Sequence, residues 1–145
     1  NLSSTKHLTQ NGRKASATKL ARSCYNHIAG RLGVLMTERM IALNVLSIKI
    51  DHIDLGSRCP AFMEDLGVKV SDVGANKPIV KSCLDWTERQ FHISGPFATS
   101  IMDKTLNDGW IERRTGSRVL SISADGYQKF ESQFGLTKRD LLSCI

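Results

Sequence analysis

Apolar residues recur at spacings of four and three from Leu20 through Cys24, Ile28, Leu32 and Leu35, with Ala21, Tyr25 and Ala29 beside them. That period is the stripe of a helix packed on one side, and it predicts a long helix from Ala15 to about Leu43. Gly30 and Gly33 fall inside it. Each costs roughly 1 kcal/mol against alanine in a helix interior, so a kink or a close approach is expected there. Val45 to Ile50 alternate like a half-buried strand, and Ile53-Asp54-Leu55 follows the Asp51-His52 turn. Ser57 then caps a helix that carries Pro60 in its first turn and ends at Leu66-Gly67.

The second half follows a similar plan. Thr87-Glu88-Arg89-Gln90 has the spacing of a capping box and predicts a short helix ending near Ile93. Pro96 opens a helix with Phe97, Ile101, Met102 and Leu106 on its buried face, and Asn107-Asp108-Gly109 stops it. Trp110–Arg114 and Arg118–Ile122 form a hairpin about Thr115-Gly116. Ser123 caps a last helix with Tyr127, Phe130 and Phe134 on one face and Gly135 as terminator. The halves align, IALNVL with LNDGWI and Leu66-Gly67-Val68 with Phe134-Gly135-Leu136. The expected fold is therefore mainly α with small β-hairpins (α+β): two winged-helix-like halves, about 15–68 and 83–136, around a long N-terminal helix. Residues 1–14 read as a linker and 137–145 as a tail.

Charge sharpens that division. The formal net charge of +6 is concentrated at the start, where residues 1–22 hold Lys6, Arg13, Lys14, Lys19 and Arg22 and no acid. The remaining 15 Lys and Arg face 14 Asp and Glu, so the body is nearly neutral. A basic lead of this kind reads first as a solvated linker. No apolar run reaches the roughly 18 residues of a membrane span, and no signal-peptide core opens the chain. Cys24, Cys59, Cys83 and Cys144 are widely spaced and are expected to be reduced thiols in a cytoplasmic protein. The chain opens on Asn1 and not on a methionine, which reads as a fragment.

Signatures of catalysis are missing: there is no dinucleotide or phosphate loop, no zinc-protease helix and no nucleophile elbow. The expectation is a protein that is not an enzyme. The helix 96–108 with the hairpin 110–122 is a helix–wing constellation, in which Lys104, Arg113, Arg114, Ser117 and Arg118 are candidate DNA contacts. The helix itself is poor in base-reading arginine.

Three stretches, ARSCYNHIAGRLGV (Ala21–Val34), CLDWTERQFHISG (Cys83–Gly95) and LNDGWIERRTGSRVLSIS (Leu106–Ser123), closely resemble the C-terminal region of a two-domain subset of bacterial ArsR-type transcriptional repressors. The resemblance runs from about Ala17 to Leu136. It implies a C-terminal regulatory domain, for effector sensing or dimerisation, that follows an N-terminal winged-helix domain. Operator DNA is then a partner through the full-length protein, with a homodimer as the assembly. The family's usual reading helix and its thiolate metal motif have no counterpart in these residues.

The first two stretches concentrate soft and ionisable groups. Cys24 and His27, three apart on the expected helix, lie on one side of it, and Cys83, Asp85, Trp86, Glu88, Arg89 and His92 cluster in the other stretch; together they are candidates for a pocket. Such a set suits a small-molecule effector or a metal ion held by thiolate and imidazole. Taken singly, each residue also has an ordinary reading as core or surface. The Cys24–His27 pair is expected to approach the 83–92 segment, because buried polar groups need partners. His7 and His52 read as linker and turn residues.

Overall fold

A computed structural model describes residues 17–69 and 79–143. The linker expected over 1–14, with His7, and the thiol of Cys144 lie outside the described residues. The chain is α+β, and its strands pair as four antiparallel hairpins among the described residues. Strands β1 (Arg22–Cys24) and β2 (His27–Ala29) lead into helix α1 (Gly30–Ala42). Strands β3 (Leu46–Ile48) and β4 (Ile53–Leu55) lead into α2 (Cys59–Leu66). The order then repeats: β5 (Lys81–Asp85), β6 (Gln90–Ser94) and α3 (Pro96–Asn107), then β7 (Ile111–Arg113), β8 (Leu120–Ile122) and α4 (Ala124–Phe134). A short α5 (Lys138–Leu142) lies within the segment expected as a tail, and its Leu141 is fully buried.

Two expected helices are replaced by hairpins. The long helix from Ala15 is broken: residues 17–20 are helical, Arg22–Ala29 form β1 and β2, and only the part from Gly30 onward is α1. Tyr25 sits at φ 58° in the turn and Gly30 at φ 80°, both outside a right-handed helix. A side chain at Gly30 is excluded twice over, because a Cβ there would also press on the Lys19 carbonyl oxygen. The short helix expected from Thr87 is likewise the turn and second strand of the β5–β6 hairpin. There the Thr87 hydroxyl donates to Asp85 Oδ1 at 2.7 Å, and the Thr87 and Glu88 amides reach the same oxygen. The aspartate organises a tight turn where a capping box was expected.

The remaining elements follow their sequence signals except at the start of α2, where Arg58 and not Ser57 is the N-cap and no side chain caps the helix. Gly67 and Gly135 end α2 and α4 in the left-handed conformation, so the aligned Leu66-Gly67 and Phe134-Gly135 pairs play the same part. Leu32, Met36 and Met40 of α1 join Met63, Phe97, Ile101, Met102, Phe130 and Phe134 in one core. Helix α1 runs through its centre, against β6, β2 and the ends of α4 and α5. No helix among the described residues is long and apolar enough to cross a membrane.

Ser123 shows how local chemistry sets these boundaries. Its hydroxyl accepts from the Gly126 amide at 2.9 Å and donates to the Gly109 carbonyl at 2.6 Å, tying the start of α4 to the end of α3. Removing a cap of this kind costs about 0.5–2 kcal/mol. Ser123→Ala is expected to lower unfolding stability by about 1 kcal/mol, read as a shifted urea midpoint with unchanged slope. An unmoved midpoint would show that water replaces the hydroxyl without loss.

Candidate functional site

Two hairpins that precede the two long helices carry the concentrated chemistry. In the first, the two-residue turn Tyr25-Asn26 places Cys24 directly opposite His27. In the second, a four-residue turn places Cys83 directly opposite His92. Residues paired across an antiparallel ladder project to the same face, so each hairpin presents one cysteine and one histidine together. Cys24 and His27 are therefore cross-strand partners and not neighbours on a helix. Each histidine is followed by the same kind of helix entry, His27-Ile28-Ala29-Gly30 and His92-Ile93-Ser94-Gly95. Gly30 and Gly95 adopt matching positive φ values of 80° and 88°.

The two hairpins meet. Sγ of Cys24 and Cys83 and a ring nitrogen of His27 and His92 all lie within 4.8 Å of one another. The His27 and His92 Nε2 atoms are 3.0 Å apart. Both imidazoles are buried, whereas both cysteines are half-buried. Helix α1 passes beneath. A Cβ on Gly33 would overlap the Ile28 carbonyl oxygen and would reach within 3.5 Å of the His92 Cβ, so this glycine permits the close packing of helix on hairpins. The Thr37 hydroxyl, donating to the Gly33 carbonyl at 2.8 Å, accepts from the Ile93 amide at 3.1 Å and fixes β6 to the helix.

Asp85 is fully buried behind the histidines. Its Oδ1 takes the Arg22 guanidinium at 3.0 Å as well as Thr87, and its Oδ2 accepts from the Gly30 amide at 2.6 Å. Helix α1 has no side-chain cap and no acid in its first turn. Asp85 therefore supplies, from the other half of the chain, the negative group that a helix N-terminus favours. The same Oδ2 lies 3.0 Å from His92 Nδ1. The 3.0 Å contact is outside good hydrogen-bond alignment, so Asp85 faces His92 Nδ1 without satisfying it fully.

Electrostatics follow from this geometry. Burial, reinforced by the neighbouring His92, lowers His27 from 6.5 to about 4. Burial also lowers His92, against the pull of Asp85. Burial alone would raise the Asp85 carboxyl, but Thr87, the Gly30 amide, Arg22 and the Glu88 amide together bring it down to about 2. Burial and the adjacent Cys24 raise the Cys83 thiol. At neutral pH the site thus holds two neutral imidazoles beside an ionised Asp85–Arg22 pair.

The other candidates spread around this centre. Trp86 is largely exposed, with the Arg22 guanidinium 5.8 Å from its ring centroid. Arg89 is exposed at φ 56° in the turn, and Glu88 stands 3.7 Å from Arg31. These three lie at the hairpin's rim and do not join the cysteine–histidine cluster. Arg22 and Thr37 were not singled out by sequence spacing. The repeated His-Ile-small-Gly motif would have pointed to the two hairpins, and Arg22 lies two residues before the first cysteine.

The candidate DNA contacts lie elsewhere. Lys104 pairs with Asp108 at 2.9 Å along α3. Arg113, Arg114, Ser117 and Arg118 are exposed on the β7–β8 hairpin. Arg114 donates to Ser121 at 2.7 Å, and Arg118 donates to the Ser23 carbonyl at 3.0 Å. The β7–β8 hairpin is also joined to β1, because the Ser23 amide donates to the Arg118 carbonyl at 2.8 Å and the Leu120 amide to the Ala21 carbonyl at 3.0 Å. The wing and the cysteine–histidine cluster thus share strand β1.

Over 118 residues the chain is 30% identical to an uncharacterised HTH-type transcriptional regulator, YdfF, of Bacillus subtilis. It is similar to a transcriptional regulator over most of its length. The match covers 80% of this chain and 52% of the relative, so the chain spans about half the length of the curated protein it matches. No family model matches the chain. No solved structure matches it either.

Proposed function

We propose that this chain is the C-terminal regulatory region of a two-domain, ArsR-type bacterial transcriptional repressor. It acts in the cytoplasm on operator DNA through an N-terminal winged-helix domain, and it works as a homodimer. In this reading it is a sensor and not an enzyme, and its halves are variants of the winged-helix plan. The observation that carries the proposal is the convergence of Cys24, His27, Cys83 and His92 from two hairpins far apart in sequence. Occupation or chemical change of that cluster alters how the two halves are held together. The similarity to an HTH-type regulator supports the class. The strand shared with the β7–β8 hairpin offers a route by which the cluster's state reaches an exposed basic surface.

The rival is direct DNA binding by α3 and the β7–β8 wing, favoured by the exposed Arg113 and Arg114. Phosphate contacts make log affinity fall with log salt at roughly −0.9 per phosphate neutralised. For this chain alone, fluorescence anisotropy on duplex DNA is expected to give weak binding that changes little in the triple variant Arg113→Ala, Arg114→Ala, Arg118→Ala. Tight binding with a steep salt slope that the triple variant abolishes would establish the rival instead.

A further inference from the structure

We propose that Cys24, His27, Cys83 and His92 form a tetrahedral two-sulfur, two-nitrogen site for a divalent d-block cation, with zinc as its occupant. The proposal names the ligand of the regulatory site. It rests on that reading only for what occupancy does to DNA binding.

The donor set is the first argument. Two thiols and two imidazoles are the combination that selects zinc and its close relatives, whereas magnesium and calcium require oxygen. Distance is the second. Bonds of about 2.3 Å to sulfur and 2.0–2.1 Å to nitrogen place tetrahedral ligand atoms about 3.3–3.8 Å apart. The four donors already lie within 4.8 Å of one another, and small side-chain rotations bring them to that spacing. The two Nε2 atoms, 3.0 Å apart, need to separate by only a few tenths of an ångström to bind one cation lying to the side of the line between them. In the metal-free protein one neutral ring donates its Nε2–H to the Nε2 lone pair of the other. On binding, that ring takes up a proton at Nδ1 and releases the one at Nε2 to solvent, so both rings stay neutral and both Nε2 lone pairs are free for the cation.

The surroundings are those of a prepared site. Metal-bound histidine commonly turns its other ring nitrogen toward a carboxylate, which sets the ring's orientation and basicity. His92 Nδ1 is buried, lies 3.0 Å from Asp85 Oδ2, and has no aligned acceptor. Asp85 is itself anchored by Arg22, Thr87 and the first amide of α1. Charge also balances: on binding, each thiol releases its proton to solvent, two thiolates neutralise the cation, and Asp85 neutralises Arg22. The cysteines are only half-buried, and theirs is the side from which a cation would enter. A cation here would join residues 24 and 27 to residues 83 and 92, clamping the first hairpin of one half to that of the other.

The test uses the purified chain, freed of metal and kept reduced with a non-chelating phosphine, titrated with Co²⁺. Expected are one Co²⁺ per chain, the visible bands of tetrahedral Co²⁺ and a near-ultraviolet thiolate charge-transfer band, all lost on adding Zn²⁺. Cys24→Ser and Cys83→Ser are expected to weaken binding by more than the roughly 10–100-fold that loss of an outer partner costs. His52→Ala, at an exposed histidine away from the cluster, is expected to leave it unchanged. Far-ultraviolet circular dichroism confirms folding, and Cys24→Ser serves if Cys83→Ser does not fold. Octahedral spectra, or tetrahedral bands that persist in folded Cys24→Ser, would overturn the site. If the bands form but Zn²⁺ leaves operator affinity unchanged in a longer protein that includes the HTH region, the site stands and the regulatory reading fails.

Discussion

Asp85→Ala is expected to cost about 3–5 kcal/mol of folding stability, the penalty for breaking a buried ion pair from one side. The reason is that the carboxylate has three separate dependants. Arg22, only 5% exposed, would keep its charge with the Thr18 carbonyl, the Thr87 hydroxyl and the Trp86 ring as its partners among the described residues. The Gly30 amide would lose its acceptor and α1 would lose its cap. The 86–89 turn would lose the oxygen that collects the Thr87 and Glu88 amides. Asp85→Asn keeps an acceptor for Gly30 while removing the charge, so it is expected to fall between alanine and wild type. Urea unfolding of the metal-free chain measures both. A loss below about 1 kcal/mol for Asp85→Ala would place this aspartate among ordinary surface pairs and deny it a role in joining the halves.

Phe134→Ala is expected to be comparably damaging, for an apolar reason. Phe134 is fully buried, meets Phe62 of α2 edge-on at 5.1 Å and lies 5.9 Å from Phe130. Truncating a buried phenylalanine costs about 3–5 kcal/mol, transfer and cavity together. The position matters as much as the area, because Phe62 belongs to the first half and Phe134 to the second. The Phe134 carbonyl also accepts from Arg39 of α1 at 2.9 Å, so a collapse of α4 into the cavity would strain that contact. The variant is expected to unfold earlier yet still in one transition, with circular dichroism and tryptophan fluorescence coinciding, since one core spans both halves. Two separated transitions would show that the halves fold independently and that the aromatic contact is peripheral.

The elements with strong local signals were legible in the residues. The helices at 59–66, 96–107 and 124–134, their glycine stops, the Ser123 cap and the hairpin about Thr115-Gly116 all follow from periodicity and turn chemistry confined to a dozen residues or fewer. Leu32, Met36 and Met40 also lie on a stretch with a helical period, but the helix itself begins only at Gly30. The β1–β2 and β5–β6 hairpins were not legible as strands. Strands of three to five residues are too short to display a period, and the spacing of Leu20, Cys24 and Ile28 fits a helix as well as it fits residues buried by β1, β2 and their neighbours. The Tyr25-Asn26 turn has no glycine, and the Thr87–Gln90 spacing imitates a helix start while its threonine serves Asp85.

By itself, then, the sequence determined which residues carry the soft and charged chemistry, that the fold mixes helices with small hairpins, and where most helices stop. Only tertiary structure decided that Cys24 faces His27 and Cys83 faces His92 across two ladders, and that the two pairs share one centre. The same is true of the Asp85 cap on a helix 55 residues away in the chain. Helix periods and caps are local and can be read in order, whereas strand pairing and buried charge depend on which distant segment arrives opposite. That arrival is set by the packing of α1 beneath both hairpins, through a glycine small enough to let them close.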